Sequence, residues 1–253
     1  LFNRSQAVTT ISRAMAARIR AKGVAPERVH LLPNWADMED IKPGARRNVL
    51  RGELGLNEEI LVLYAGNMGE KQGLEVILDA AAITRYNQAI RYVFVGEGAA
   101  RQRLMDRAQR QGLDTVSFFP LQSKDRFPLL LNAADIHLVV QKQKASDLVM
   151  PSKLGNILAA GRPFIATARP ETELGRVTTE SQAGLLTPPE DAAALAQAII
   201  HLAQAEDARK KMGLRARQFA EAWLGRDKIM AEWERLLYGL VKQPGRHAGR
   251  ERI

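Results

Sequence analysis

Between residues 59 and 204, six apolar runs alternate with segments of helical periodicity, and no other feature of the chain limits its fold so tightly. The runs are 59–66 (EILVLYAG), 90–96 (IRYVFVG), 116–120 (VSFFP), 136–141 (IHLVVQ), 163–168 (PFIATA) and 183–188 (AGLLTP). Each is short and nearly unbroken, the pattern of a strand buried on both faces. The helical segments are 73–85, with Leu74, Ile77, Leu78 and Ala81 on one side, then 99–112, 123–134, a helix opened by Pro151 and stopped by Gly161, 171–181 and 190–204. Strands that take helices on both faces form a parallel, doubly wound α/β sheet. Ligands of such sheets sit outside the carboxyl ends of the strands, so the loops 66–73, 96–99, 120–124, 142–153 and 167–173 are where a site is expected.

Outside this core the pattern changes. Residues 7–12 read as a strand, Ser12 as the cap of a helix carrying Met15 and Ile19, and residues 28–34 as a second short strand. Residues 1–34 are thus expected to be the last β-α-β piece of a preceding domain. Residues 35–48, with Pro43-Gly44, read as an interdomain linker, 49–205 as the α/β domain and 206–241 as one or two long helices with Trp223 and Trp233. Residues 242–253 have the composition of a disordered basic tail. A first residue that is Leu, with strand-like sequence following at once, suggests that the chain begins inside a longer protein.

Composition removes several function classes. With 46% hydrophobic and 26% charged residues the chain is globular, and with no cysteine it has no disulfide framework, Cys-type zinc site or thiol nucleophile, which fits the cytoplasm. No apolar run approaches the roughly 18 residues of a spanning helix, and no signal peptide is recognisable. The net charge of +9 gathers at the ends: residues 1–30 hold six Lys/Arg against one Asp/Glu, and 206–253 hold twelve against seven. Basic ends suit an anionic surface, a membrane or nucleic acid, and with the family resemblance given below the expectation is peripheral attachment at an inner membrane. With only 6% aromatics and no nucleic-acid signature, binding to nucleic acid is not expected, and a solvated basic surface is the plainer reading.

The stretch 146–168, SDLVMPSKLGNILAAGRPFIATA, is the strongest candidate site, because Ser152 and Lys153 fall in the first turn of a helix at the ligand edge. Free N–H groups, a hydroxyl and an ammonium together suit a phosphate. The turn AGNMGEKQG (65–73) offers Gly66 and Gly69 for close backbone approach, Gly73 to open the next helix and Lys71 as a second cation. VGEGAAR (95–101) nearly matches a dinucleotide fingerprint, but Arg101 replaces the third glycine and no acidic residue ends the next strand, which argues against a hydride-transfer enzyme. There is no P-loop motif and no nucleophile elbow. The acid pairs Glu58/Glu59 and Glu171/Glu173 read as surface carboxylates near helix starts, with Glu173 weighed more as a site residue because it follows the strand 163–168 at the ligand edge. His30, His137, His201 and His247 are scattered without metal-type spacing and read as structural. No two aspartates stand two apart, so the D-x-D of many metal-dependent sugar transferases is missing.

Six segments carry a resemblance: PNWAD (33–37), AGNMGEKQGLE (65–75), VFVGEG (93–98), VSFFPLQSKDRFPLLLNAADIHLV (116–139), MPSKLGNILAAGRPFIAT (150–167) and AGLLTPPEDAAALAQAI (183–199). In that order they resemble the carboxyl-terminal domain of retaining glycosyltransferases of family 4, most closely the bacterial exopolysaccharide, colanic-acid type. The resemblance covers roughly residues 1–240. It implies a Rossmann-like doubly wound domain forming one half of a two-domain GT-B architecture, which holds the nucleotide sugar and needs no metal. It implies transfer of a sugar from a UDP- or GDP-sugar to a polysaccharide or lipid-linked oligosaccharide, with no cofactor beyond that co-substrate. By position, Gly66, Asn67, Gly69, Gly98 and Lys71 would face the donor's pyrophosphate and sugar, Lys153 with Ser152 would anchor phosphate, Leu121 would contact the base and Glu173 would line the donor site. The chain departs from the family at Asn67, where Arg is common, and at Gln72, where Lys is common. It departs again at Leu148 and Asn156, where two glutamates are usual; Asn156 would still reach a ribose hydroxyl, and Asp147 stands beside the vacant first position. Two other readings stay open: a nucleotide-sugar-binding module without activity of its own, and a sugar-nucleotide epimerase of the same architecture.

Overall fold

A computed structural model describes residues 2–143 and 151–242. Of the sequence expectations, Asp147, Leu148 and the tail from 243 onward lie outside them. The chain opens with β1 (Val8–Thr10), α1 (Arg13–Ala21) and β2 (Val29–Leu31), the two strands pairing in parallel with Val8 opposite Val29. The Ser12 hydroxyl caps α1 by accepting from the Met15 N–H at 3.2 Å, as the sequence predicts. This piece packs a core of its own from Val8, Ala16, Val24 and Val29.

The alternating region builds α2 (Val49–Glu53), β3 (Ile60–Ala65), α3 (Glu75–Ile83), β4 (Ile90–Val95), α4 (Arg101–Arg110), β5 (Val116–Phe119), α5 (Phe127–Ala133), β6 (Ile136–Val140), α6 (Lys153–Ala159), β7 (Phe164–Thr167), α7 (Glu173–Ser181), β8 (Gly184–Thr187) and α8 (Ala192–Gln204). All six expected strands are present, parallel, in the order β5-β4-β3-β6-β7-β8. The order reverses between β3 and β6, which opens a crevice at their carboxyl ends. Helices cover both faces: Ile77, Leu104, Leu195 and Ile199 pack with Tyr64 and Phe94 on one, while Leu154, Leu158, Leu174 and Ala216 pack with Phe164 and Ala166 on the other.

Two details differ from the sequence reading. Residues 49–53, read as the start of the domain without structure, form α2, because Asn48 caps it by accepting from the Leu50 N–H at 3.1 Å and Leu50 is buried. The helix read over 123–134 begins at Phe127, the preceding residues turning instead through the Arg126 and Phe127 N–H bonds to the Ser123 carbonyl.

The segment read as a linker is held against the domain. The Ala36 N–H donates to the Leu224 carbonyl at 2.9 Å, Ile41 is buried, and the Gly44 N–H donates to Asn132 Oδ1 at 2.8 Å. After the sheet come two helices, α9 (Glu206–Trp223) and α10 (Arg226–Lys242). Of the charged residues at the domain's amino end, Arg51 is the most deeply placed. Its guanidinium donates to the Ala133 carbonyl at 2.8 Å and to Asp135 Oδ2 at 3.2 Å, while Asp135 also accepts from the Leu61 N–H at 2.8 Å and pairs with Arg46.

Candidate functional site

The crevice at the strand-order reversal holds a cavity of about 490 Å³. Its walls come from the ends of β3 and β6, the turn after β3 and the start of α6. Of the residues expected at the site, the structure brings Gly66, Asn67, Lys71, Leu121, Ser152, Lys153 and Asn156 together around it. They come from positions as far apart as 66 and 156, so their convergence is a product of the fold and not of local sequence.

Lys153 dominates the floor. Its ammonium lies 3.6 Å from the centroid of the Tyr64 ring and is shut off from solvent, although the residue as a whole is only partly buried. No hydrogen-bond acceptor meets it among the described residues. Burial, which penalises the charged form, brings its pKa down to about 7. A Cβ at Gly66 would stand 3.2 Å from the Lys153 Nζ, so any side chain there would crowd the ammonium. Gly66 has φ +135°, which an L side chain rarely adopts.

Tyr64, on β3, was not among the expected site residues. Beyond supporting the ammonium with its ring, it donates its hydroxyl to the Asn67 carbonyl at 2.7 Å. Burial raises the phenol's pKa, so it stays a neutral donor. Its only trace in the sequence is that it is the one aromatic residue in an otherwise aliphatic strand, placed directly before the glycine turn. Gln141 and Phe127 also line the cavity without having been foreseen. The Gln141 main chain is fixed by Thr167, whose hydroxyl accepts from the Gln141 N–H at 3.0 Å. His137, in mid-strand on β6, is buried, bonded to the Leu131 carbonyl at 3.0 Å and brought down to about 4 by burial, so it is neutral and structural, as expected.

Three expected residues stand elsewhere. Gly98 does not line the cavity: a Cβ there would strike the Met68 carbonyl oxygen at 2.5 Å, so its lack of a side chain lets the turn 66–68 lie against the turn 96–98. Gly96 acts likewise, with the Gly66 carbonyl at 2.1 Å from a Cβ position. Gly69 is packed beside the Gln72 and Asn67 side chains and does not itself line the cavity. Glu173 lines a separate groove with Ile11, Trp35 and Trp223 and pairs with Arg176. Ser152 makes no capping hydrogen bond with its side chain, and α6 is only seven residues long, so the charge at the site comes chiefly from the lysine. Asp147 lies outside the described residues. Among those residues no three of His, Cys, Asp and Glu gather as a metal-binding group.

Comparison with known proteins follows the same lines. Residues 47–219 match the family described as glycosyl transferases group 1. WcaI of Escherichia coli, assigned as a glycosyl transferase of colanic acid biosynthesis, is 40% identical over 230 residues, a span covering 89% of this chain and 55% of WcaI. The alpha-D-kanosaminyltransferase of Streptomyces kanamyceticus is 25% identical over 214 residues, 83% of this chain and 54% of that protein. The chain thus spans about half the length of the curated relatives it matches. Among solved structures, sucrose-phosphate synthase of Thermosynechococcus elongatus superposes with a TM-score of 0.81 at 23% identity, over 96% of this chain and 60% of the other. HepE of Anabaena, solved with UDP-glucose, does so with 0.80 at 20%, over 94% and 65%. At such identities these two speak for the fold, a GT-B domain.

Proposed function

Because the chain belongs to the group 1 glycosyl transferases, we propose that it is the donor-binding half of a retaining glycosyltransferase of exopolysaccharide assembly. It binds a UDP- or GDP-sugar in the crevice between β3 and β6, for transfer to a polysaccharide or lipid-linked oligosaccharide. The observation that carries this reading is the Lys153 ammonium, which faces the cavity with no acceptor of its own among the described residues. A buried ammonium without a partner is costly in a free protein and suits a site whose ligand is an anion.

In the transfer, the bond from the anomeric carbon to the diphosphate breaks and its electron pair passes to the phosphate oxygen. The acceptor oxygen takes the anomeric carbon, and its proton leaves with the diphosphate. Negative charge therefore grows next to Lys153, which stabilises the departing group more than the intact donor. Lys71, exposed on the turn, adds charge at the mouth, while Leu121 and Phe127 give an apolar wall for the base. This arrangement works without a metal ion. The basic ends hold the protein at an anionic inner-membrane surface; no helix among the described residues is long and apolar enough to cross a membrane.

Calorimetric titration with UDP-, GDP- and ADP-sugars, with EDTA present, tests the reading. One nucleotide class should bind, and Lys153→Ala should weaken it at least about tenfold, the value of one charge-assisted contact. Unchanged affinity in the variant would remove the anchor role, and no binding by any nucleotide would remove the donor assignment. The rival reading is a nucleotide-sugar-binding module without activity of its own. Product release measured with this chain alone and again with an amino-terminal, acceptor-side half supplied separates the two: product that appears only, or more strongly, with both halves supports the enzyme, and none in either case supports the module.

A further inference from the structure

The cavity's unusual feature is the pairing beneath the lysine. Tyr64 stands on β3 and Lys153 on α6, nearly 90 positions apart in the sequence, and the ring centroid and ammonium nitrogen are 3.6 Å apart. On its other side the same side chain ties down the turn through the Asn67 carbonyl. We propose that Tyr64 is the positioning residue of the diphosphate site, its ring carrying the Lys153 ammonium and its hydroxyl fixing the glycine turn opposite. This deepens the nucleotide-sugar reading above and rests on it.

The physical grounds are these. A lysine head has three rotatable donors on a flexible four-carbon stem and loses conformational freedom when it meets a ligand. A ring face under the ammonium offers attraction without using any of the three N–H groups. The ammonium is thereby held in place with all its donors still directed at a ligand, which a carboxylate partner would not allow. The ring is itself fixed, packed beside Phe94 with centroids 6.0 Å apart, and Phe94 stacks on Phe118 at 4.7 Å. A shift of the turn would carry Gly66 into the ammonium, so the hydroxyl bond to Asn67 sets the space between the two phosphate-facing parts.

Among the described residues the charged and titratable groups around Lys153 are few. Tyr64 faces it from β3, His137, neutral, lies near it on β6, and Lys71 stands on the turn at the same cavity. Among the described residues no carboxylate pairs with it, and desolvation alone lowers its pKa. The ring is thus the main local support for the charged form, and weakening the ring should lower the titration midpoint further.

The test keeps the shape of the site and changes only the ring's electrons. Tyr64→Phe is made first, then phenylalanines with one, two and three fluorines are incorporated at the same position in the full chain. Two quantities are read: the titration midpoint of Lys153 by carbon-13 NMR of labelled lysine, and the affinity for UDP-glucose and GDP-mannose by calorimetry. Tyr64→Phe should cost about threefold in affinity, the hydroxyl's bond alone. Fluorination should then lower the midpoint stepwise and weaken binding by a further tenfold or so across the series. A midpoint and affinity that stay level across the fluorinated series overturn the proposal. If neither sugar nucleotide binds the unsubstituted chain while the midpoint still falls, the pairing stands and the donor reading fails. Because the fluorinated rings are nearly isosteric, misfolding does not stand between the experiment and its result.

Discussion

The two ends of one sheet treat buried charge in opposite ways. At the amino ends of β3 and β6, Asp135 is surrounded by Arg51, Arg46 and the Leu61 N–H, and Arg162 and Asn132 bond each other and the segment 42–44. None of these five residues has a buried side-chain polar atom without a hydrogen-bond partner. At the carboxyl ends of the same two strands, the Lys153 ammonium is buried with no hydrogen-bond acceptor among the described residues, and Gln72 Oε1, in the wall of the same cavity, is buried without a partner among them too. Both regions combine buried charge with short apolar strands, yet only one is complete without a ligand. The complete end stabilises the fold, and under the proposed function the incomplete end is the one that a ligand completes.

If that contrast is right, removing a charge at the complete end should do the greatest harm. Asp135→Asn leaves the Arg51 guanidinium, only 2% exposed, without its ion-pair partner. A buried pair broken on one side typically loses about 3–5 kcal/mol, which urea unfolding would register directly. Affinity for a sugar nucleotide, measured on the fraction that remains folded, should change little, because the network lies at the opposite edge of the sheet. A stability loss below about 1 kcal/mol would place this network with ordinary surface ion pairs and dissolve the comparison.

The two ends also differed in how far they were legible from the sequence. Lys153 could be read because Pro151, Gly161 and the following apolar run fix a helix start and a strand next to each other, so its place at the ligand edge followed from local pattern. Arg51 and Asp135 are 84 positions apart, and nothing local distinguishes a charge that will meet its partner from one that stays in solvent. Tyr64 was illegible for another reason: an aromatic residue in a buried strand reads as core, and it is core, with a second task at its edge. Gly98 misled because a glycine that admits a ligand and a glycine that admits a neighbouring turn have the same sequence signature; only the Met68 carbonyl beneath it decides. The strands and their parallel arrangement were legible throughout, since an unbroken apolar run between helices has few alternatives.

At the incomplete end the same kind of substitution should have the opposite sign. Lys153 has its pKa lowered from 10.5 to about 7 in the fold. Between those values the unfolded chain holds the proton and the folded one releases it, so the stability tied to this residue is full above about pH 10.5 and is lost as pH falls to about 7. Lys153→Met removes that loss while keeping the length of the stem. The variant should be more stable than the parent by about 2 kcal/mol at pH 6, well under the ceiling that the full shift would set. The two should converge near pH 10.5, as thermal unfolding across pH would show, and the variant should lose donor binding. A variant destabilised at pH 6 would mean that the lysine belongs with the complete end after all.

The smallest effect on stability is expected at the mouth of the cavity, where the comparison becomes sharpest. Leu121 is 68% exposed at the turn after β5, yet lines the same cavity as Lys153. An exposed leucine with no role would cost almost nothing on truncation, and stability should indeed change by less than about 0.5 kcal/mol in Leu121→Ala. If it covers the nucleobase, however, affinity for the sugar nucleotide should fall about threefold to tenfold, the value of covering one apolar face. Its effect on free diphosphate, which has no base, should be nil. The ratio of the two affinities therefore isolates the base wall from the charge that binds phosphate, using a residue whose loss the fold does not feel. Equal losses for both ligands would instead place Leu121 among the residues that shape the diphosphate site.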